Sequence, residues 1–406
     1  MTNKFLITAA SVGLLLVAAE GALAADAKGP KLSHGVAVAL TDAQKAIGTK
    51  DYPTALAAVE KAKAVSGPTP YDTLMINRFA MGVHVGMGDL AAADVDAEAA
   101  ADIDPKEIPD ADKAAVYKPA LQLALNSKHA DKAMKYAKLL LATTPPPTGQ
   151  DEAMATMAIY QGGDYAGATA IAQKALDAAN AAGQKPALGD LQIIMNAQVK
   201  QNDQAGAEKT LEALVANYGQ AQDWNQLMAV ALTTKGMRDI DYIYMGRLMF
   251  LQGGTVSPTD ASLVGSTSSR LGFLGDAVEA QKHGATGFPP AEAKAEADKK
   301  TIQAQIAAGP KQNGLYNVKL AQALYGYGMY PEAIAAAQLG KSKGGDPDPT
   351  EADMVIGMAQ AASGQYAAAA TTFAGIQAPN PASARVVRLW GYFAKAKASP
   401  ATAAAK

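Results

Sequence analysis

Few side chains in this 406-residue sequence combine type and spacing in a way that suits covalent chemistry. Its histidines, His34, His84, His129 and His283, lie far apart, so no two are spaced as metal ligands on one helix. Cysteine is absent, which removes thiolate metal sites, disulfides and a Cys nucleophile. The His-Glu-x-x-His, Gly-x-Ser-x-Gly and Gly-x-x-x-x-Gly-Lys patterns are all missing. A glycan-active enzyme would gather carboxylates in one cleft, and here the acids are spread over helix backs. Neither a metal nor a cofactor is expected. The short phrases Gly162-Gly163-Asp164 and Gly326-Tyr327-Gly328 fall at expected turns, where glycine relieves backbone strain rather than cradling phosphate.

Charge clusters offer binding chemistry instead. Asp89, Asp94, Asp96, Glu98, Asp102, Asp104, Glu107, Asp110 and Asp112 stand against Lys106 alone. They read either as a solvated helix back and loop, or as a docking patch for a basic partner or a weak calcium site. Asp346-Pro347-Asp348-Pro349-Thr350-Glu351 has proline at alternate positions before a helix, which fits an N-terminal cap better than a calcium loop. A net charge of −2 lacks the basic footprint of nucleic-acid binding.

The elements that hold these residues follow from a recurring phrase: a turn residue, Tyr, two spacers, then Ala. It reads Asp51-Tyr52-Pro53-Thr54-Ala55, Asp164-Tyr165-Ala166-Gly167-Ala168, Met329-Tyr330-Pro331-Glu332-Ala333 and Gln365-Tyr366-Ala367-Ala368-Ala369. Weaker copies end at Ala93, Ala133 and Ala207. Successive Ala positions lie 38, 40, 35 and 39 residues apart up to Ala207, and 36 apart between Ala333 and Ala369. Such a period without strand alternation predicts an all-α solenoid of antiparallel helical hairpins, each unable to bury its apolar face alone.

Five hairpins are expected over His34–Val65, Tyr71–Asp102, Asp112–Thr144, Asp151–Ala182 and Ala187–Tyr218. Pro119 predicts a kink or a late helix start in the third. Trp224–Leu251 reads as helical, Ala291–Ala308 as a solvated helix. The phrase returns over Leu315–Gly340 and Glu351–Gln377, and Ala382–Ala396 reads as a terminal cap. The domain plan is therefore repeats at 34–218, an irregular middle at 219–310, repeats with a cap at 311–397, and a frayed tail at 398–406. Aligning the hairpins places Arg78, Lys118, Gln122, Met157, Tyr160, Asn196, Gln322, Tyr325 and Met358 on first helices facing a groove. Arg78 and Lys118, in neighbouring hairpins, are placed to meet a ligand carboxylate; ordinary packing is the other reading of this set.

The best copies resemble the tetratricopeptide repeat. In the last one Gly357 stands at the small position, Gly364 opens the turn, Tyr366 packs across it, Ala369 sits at the helix crossing, Phe373 is the core aromatic and Pro381 ends the helix. Ala55, Tyr165, Ala168, Tyr330 and Ala333 match the same packing positions. Pro105 and Pro145 follow Ala93 and Ala133 by 12 residues, the offset of Pro381 from Ala369. The resemblance implies a right-handed superhelix whose concave face holds a peptide or partner helix, with Arg78 and Lys118 similar to the carboxylate clamp of some members. Tyr242–Leu251 and the Tyr325–Tyr330 phrase look like periplasmic repeat proteins of proteobacteria.

The N-terminus reads as an export signal over residues 1–24: Lys4, an apolar run of 15 residues from Phe5 to Ala19, and small residues at Ala22-Leu23-Ala24. That run is too short to span a bilayer, and without Cys there is no lipoprotein site, so a released periplasmic or secreted protein is expected, with a flexible stretch at 25–33. The expected function is an exported, non-catalytic scaffold that binds a protein or peptide partner. The alternatives are an accessory to envelope assembly or polysaccharide export and, less favoured, a helical glycan-active enzyme.

Overall fold

The computed structural model describes residues 30–398; the export signal read at 1–24 and the tail from 399 onward lie outside them. The described residues form 21 α-helices and one short 3-10 turn, with no strand among them. No described helix is long and apolar enough to cross a membrane. Contacts divide the described residues into two compact units, with the boundary between Asp203 and Gln204. The boundary falls inside the expected fifth hairpin, and the irregular middle belongs to the second unit along with the C-terminal repeats.

The first unit is a stack. Its helices are α1 (His34–Gly48), α2 (Tyr52–Lys63), α3 (Pro70–Met87), α4 (Leu90–Ala101), α5 (Asp110–Asn126), α6 (Ala130–Leu141), α7 (Gln150–Gln161), α8 (Tyr165–Ala181) and α9 (Leu188–Lys200). Each packs on the next in sequence, and first helices touch first helices: α1 on α3, α5 on α7, α7 on α9. One continuous apolar core runs from Val36 to Ile194.

The recurring phrase has a local cause. Each hairpin turns through one left-handed residue: Lys50 (φ 59°), Gly88 (80°), Lys128 (59°) and Gly163 (87°). Glycine takes that conformation at no steric cost, and the two lysines pay a strain for it. The next residue caps the second helix. Asp51, Asp89 and Asp164 accept from the backbone N–H three residues on, at 3.2, 3.0 and 2.9 Å, which satisfies one orphan donor in each helix. Four residues past the cap, the phrase alanine meets the partner helix, and Ala55, Ala93, Ala133 and Ala168 have no exposed surface.

Two expectations change in this unit. Helix α5 does not start late: it begins at Asp110, behind Pro109, and continues through Pro119. The stretch expected to be flexible is tied at its end: the Ser33 N–H donates to Asp72 at 2.8 Å, and Leu32 packs on the core. Asp72 also closes a capping box with Thr69 at the start of α3.

The second unit contains α10 (Gln204–Tyr218), α11 (Ala221–Ala231), α12 (Asp239–Gln252), α13 (Pro258–Leu271), α14 (Leu274–Lys282), α15 (Glu292–Lys299), α16 (Ile302–Ala308), α17 (Gly314–Gly326), α18 (Tyr330–Lys343), α19 (Thr350–Ala362), α20 (Tyr366–Ala374) and α21 (Pro381–Ala398). Trp224–Leu251 is thus two helices. The break ends where the Arg238 N–H donates to Asp241 at 2.9 Å and α12 begins. Ala291–Ala308 is likewise split, and only Ala291, Ala295 and Ile302 of its apolar residues are buried. The left-handed turn recurs at Gly272 (81°), Gly328 (76°) and Gly364 (80°).

This unit closes on itself. Helix α21, expected as a terminal cap, packs against α10, α12, α19 and α20. Trp390, fully buried, donates its indole N–H to the Tyr244 carbonyl at 3.0 Å. Ser383 donates to Asp241 at 2.8 Å, and Arg385 reaches Glu208 at 3.1 Å and Thr234 at 3.0 Å. Helix α12 therefore lies inside the run of hairpins, with contacts on both sides of it.

Candidate functional site: a tyrosine-walled cleft

The cations expected to meet a ligand are already engaged. Arg78 is only 3% exposed and binds Asp112 at 3.1 Å. Lys118 binds Asp151 at 2.9 Å. The same contact appears in the second unit, where Lys319 binds Glu351 at 3.0 Å. In each case a cation midway along one first helix reaches a carboxylate in the first turn of the next first helix, 34, 33 and 32 residues on. A carboxylate is favoured at a helix N-terminus, and the cation neutralises it across the stack. Arg78 as an open groove residue is thus corrected: it is a buried staple between hairpins.

Part of the acidic stretch is paired in the same way. Glu98 pairs with Lys132 and Asp102 with Lys135, both at 2.6 Å, while Asp96 meets His84 at 2.6 Å and Asp94 meets His129 at 3.2 Å. These contacts form a seam between α4 and its neighbours. No group of three or more His, Asp or Glu among the described residues is arranged to hold a metal ion.

Of the other expected groove residues, Gln122, Met157 and Tyr160 are half-buried and Asn196 is exposed on the first unit. Gln322 and Met358 are fully buried and Tyr325 nearly so. For Gln322 and Tyr325, helix α12 is the reason. Arg247 donates to both oxygens of Asp276 (2.7 and 2.8 Å) and to the side-chain and backbone oxygens of Gln322 (2.7 and 2.9 Å). Gln322 in turn donates to the Tyr244 hydroxyl, and the Arg247 guanidinium lies 4.3 Å over the Tyr325 ring. Tyr244 and Gln322 lie in the interior of a closed unit, while Arg247, Asp276 and Tyr325 also border the cleft beside it.

Beside this network the second unit opens a cleft of about 510 Å³ between α12, α14, α15 and the turn from α17 to α18. Its floor depends on two glycines. A Cβ at Gly275 would stand 2.3 Å from the Gly326 carbonyl oxygen, and one at Gly326 would stand 2.8 Å from the Asp276 carboxylate. Only glycine lets the start of α14 and the end of α17 approach so closely, and that approach sets Asp276 beside Tyr325 and Tyr327.

Tyr325, Tyr327 and Tyr330 wall the cleft. Tyr325 and Tyr330 pack at 5.3 Å between ring centres, tilted by 58°, as Tyr160 and Tyr165 do in the first unit at 5.3 Å and 56°. The Tyr327 hydroxyl donates to Asp298 at 2.5 Å. Burial, then Asp298, pushes the Tyr327 phenol up; burial, then Glu279, does the same to Tyr330. Both phenols are thereby held in the protonated form, and Tyr327 uses its proton as a donor. At the rim, Glu279 pairs with Lys282 and Glu296 with Lys299, each at 3.0 Å. Glu292 is exposed and has no ion-pair partner among the described residues.

The repeat-packing residues sit where the fold needs small or flat groups. Ala333 and Ala369 are fully buried. A Cβ on Gly357 would stand 2.7 Å from the Phe373 ring, and Tyr366 packs on Phe393 with ring centres 6.2 Å apart. The sequence reading missed Arg247 and Asp276. A lone arginine in the apolar run Tyr244–Phe250 is the signal that would have found the first, because a charge there must be paired. No family model matches this chain, and no curated protein matches it.

Proposed function

We propose that this chain is an exported, non-catalytic interaction protein on tetratricopeptide-like helical repeats, and that a segment of a partner protein enters the tyrosine-walled cleft of its second unit. The cleft carries this reading. Its volume of about 510 Å³ is that of a small-ligand pocket, and its wall has the rigid aromatic faces common at interaction hot spots. The non-catalytic part is supported by how its ionisable groups are held. Arg247 is locked to Asp276, and burial raises the Tyr327 and Tyr330 phenols away from ionisation, so neither an ionised phenol nor a free guanidinium faces the cleft. The export part rests on the residues from Lys4 to Ala24.

The test is site-specific photo-crosslinking in cells that make the protein. A benzophenone side chain replaces Val278 in the cleft or, as the competing location, Gln122 on the first unit. Partner adducts from Val278 are expected. Adducts from Gln122 alone would move the site to the first helices of the stack.

A further inference from the structure

The cleft already holds a cation against one of its aromatic walls. The Lys299 ammonium lies 5.6 Å over the Tyr327 ring centre while bound to Glu296 at 3.0 Å. Its side chain is 44% exposed and belongs to α15, a helix with one buried residue. On the floor the buried Arg247 makes the same kind of contact with Tyr325 at 4.3 Å. Around this wall Glu279, Glu292 and Glu296 outnumber Lys282 and Lys299, and Arg247 is cancelled by Asp276. A negative rim around electron-rich ring faces attracts cations and repels carboxylates.

Resting on the reading of the cleft as the binding site, we infer that its ligand is a basic side chain, Arg or Lys, of an extended partner segment, and that Lys299 holds its place until it arrives. The incoming guanidinium or ammonium stacks on Tyr327 and takes Glu296 as its carboxylate partner. Lys299 swings out to solvent, which its exposure allows at small cost. A guanidinium is preferred, because its plane matches both a ring face and a carboxylate fork.

The full chain, labelled with ¹³C in its tyrosine rings, is titrated with N-acetyl-arginine methylamide at low salt. The Tyr327 resonance is identified by its loss in Tyr327→Phe. Its shift should saturate, weaken about two- to fivefold in Glu296→Gln, and strengthen by a similar factor in Lys299→Met. Both variants change exposed residues, so folding is not at stake. N-acetyl-glutamate methylamide should leave Tyr327 unmoved. Equal or tighter binding of the glutamate probe, or an unchanged arginine titration in both variants, overturns the basic-ligand inference while the cleft stands. Silence of Tyr327 to both probes removes the cleft as a binding site and the inference with it.

Discussion

The two units use one hairpin turn to build different kinds of object. In the first, side-chain hydrogen bonds join residues 33, 34 or 39 positions apart, one repeat to the next. In the second they also join residues 75, 110, 142 and 177 apart. A stack tied only to its neighbours gains stability repeat by repeat and frays from its ends. A unit whose last helix is bonded to its first must form those closures together, so its opening is expected to be all-or-none. Closure also explains why Gln322 and Tyr325, on a first helix, are buried: Arg247 and Tyr244 of helix α12 pack against them.

The sharpest way to break this comparison is Trp390→Ala. The indole is fully buried, packs on Phe373 and Phe393, and donates to the Tyr244 carbonyl. Its loss should cost roughly 3–5 kcal/mol. Native-state hydrogen exchange should show protection falling through the whole second unit, including α12 and α17, while α1 to α8 are unchanged. Loss confined to α20 and α21 would mean that the second unit is a stack like the first.

How much of this was legible in the sequence differs between the units for the same reason. Local chemistry is written locally. The left-handed turn residue, the capping Asp and the phrase Ala lie within six residues, so the hairpins and the buried Ala55 and Ala168 could be read from spacing. The closure could not. Arg385 with Glu208, or Arg247 with Gln322, are pairs of ordinary residues at separations no period connects. The same limit misplaced Arg78. Helical periodicity put it correctly on a first helix, but whether that face meets solvent or Asp112 depends on the next hairpin's docking.

A second pair of variants sharpens the contrast. Ala168 and Ala369 hold equivalent positions, and both are fully buried. Enlarging either to Leu overpacks a helix crossing and should cost roughly 1–3 kcal/mol. The reach of the damage should differ. Ala168→Leu should weaken protection in α7, α8 and α9 and spare α1 to α4, whereas Ala369→Leu should lower protection across the second unit. Equal spread in the two exchange maps would remove the distinction between stack and closed unit.

The smallest effects come from the staples between first helices, and they separate a buried contact from an exposed one within the stack. Arg78 is 3% exposed against Asp112 at 15%, while the side chains of Lys118 and Asp151 are 40% and 35% exposed. Arg78→Met keeps the packing volume of the stem but leaves Asp112 half-sheltered without its cation, a loss of roughly 1–3 kcal/mol. Lys118→Met should cost about 0–1 kcal/mol, because water and salt already screen the pair. Raising the ionic strength should shrink the Lys118 effect toward zero and leave most of the Arg78 effect in place. Urea unfolding at low and high salt measures both. If the two variants instead lost equal stability and responded equally to salt, burial would not be what separates the two staples.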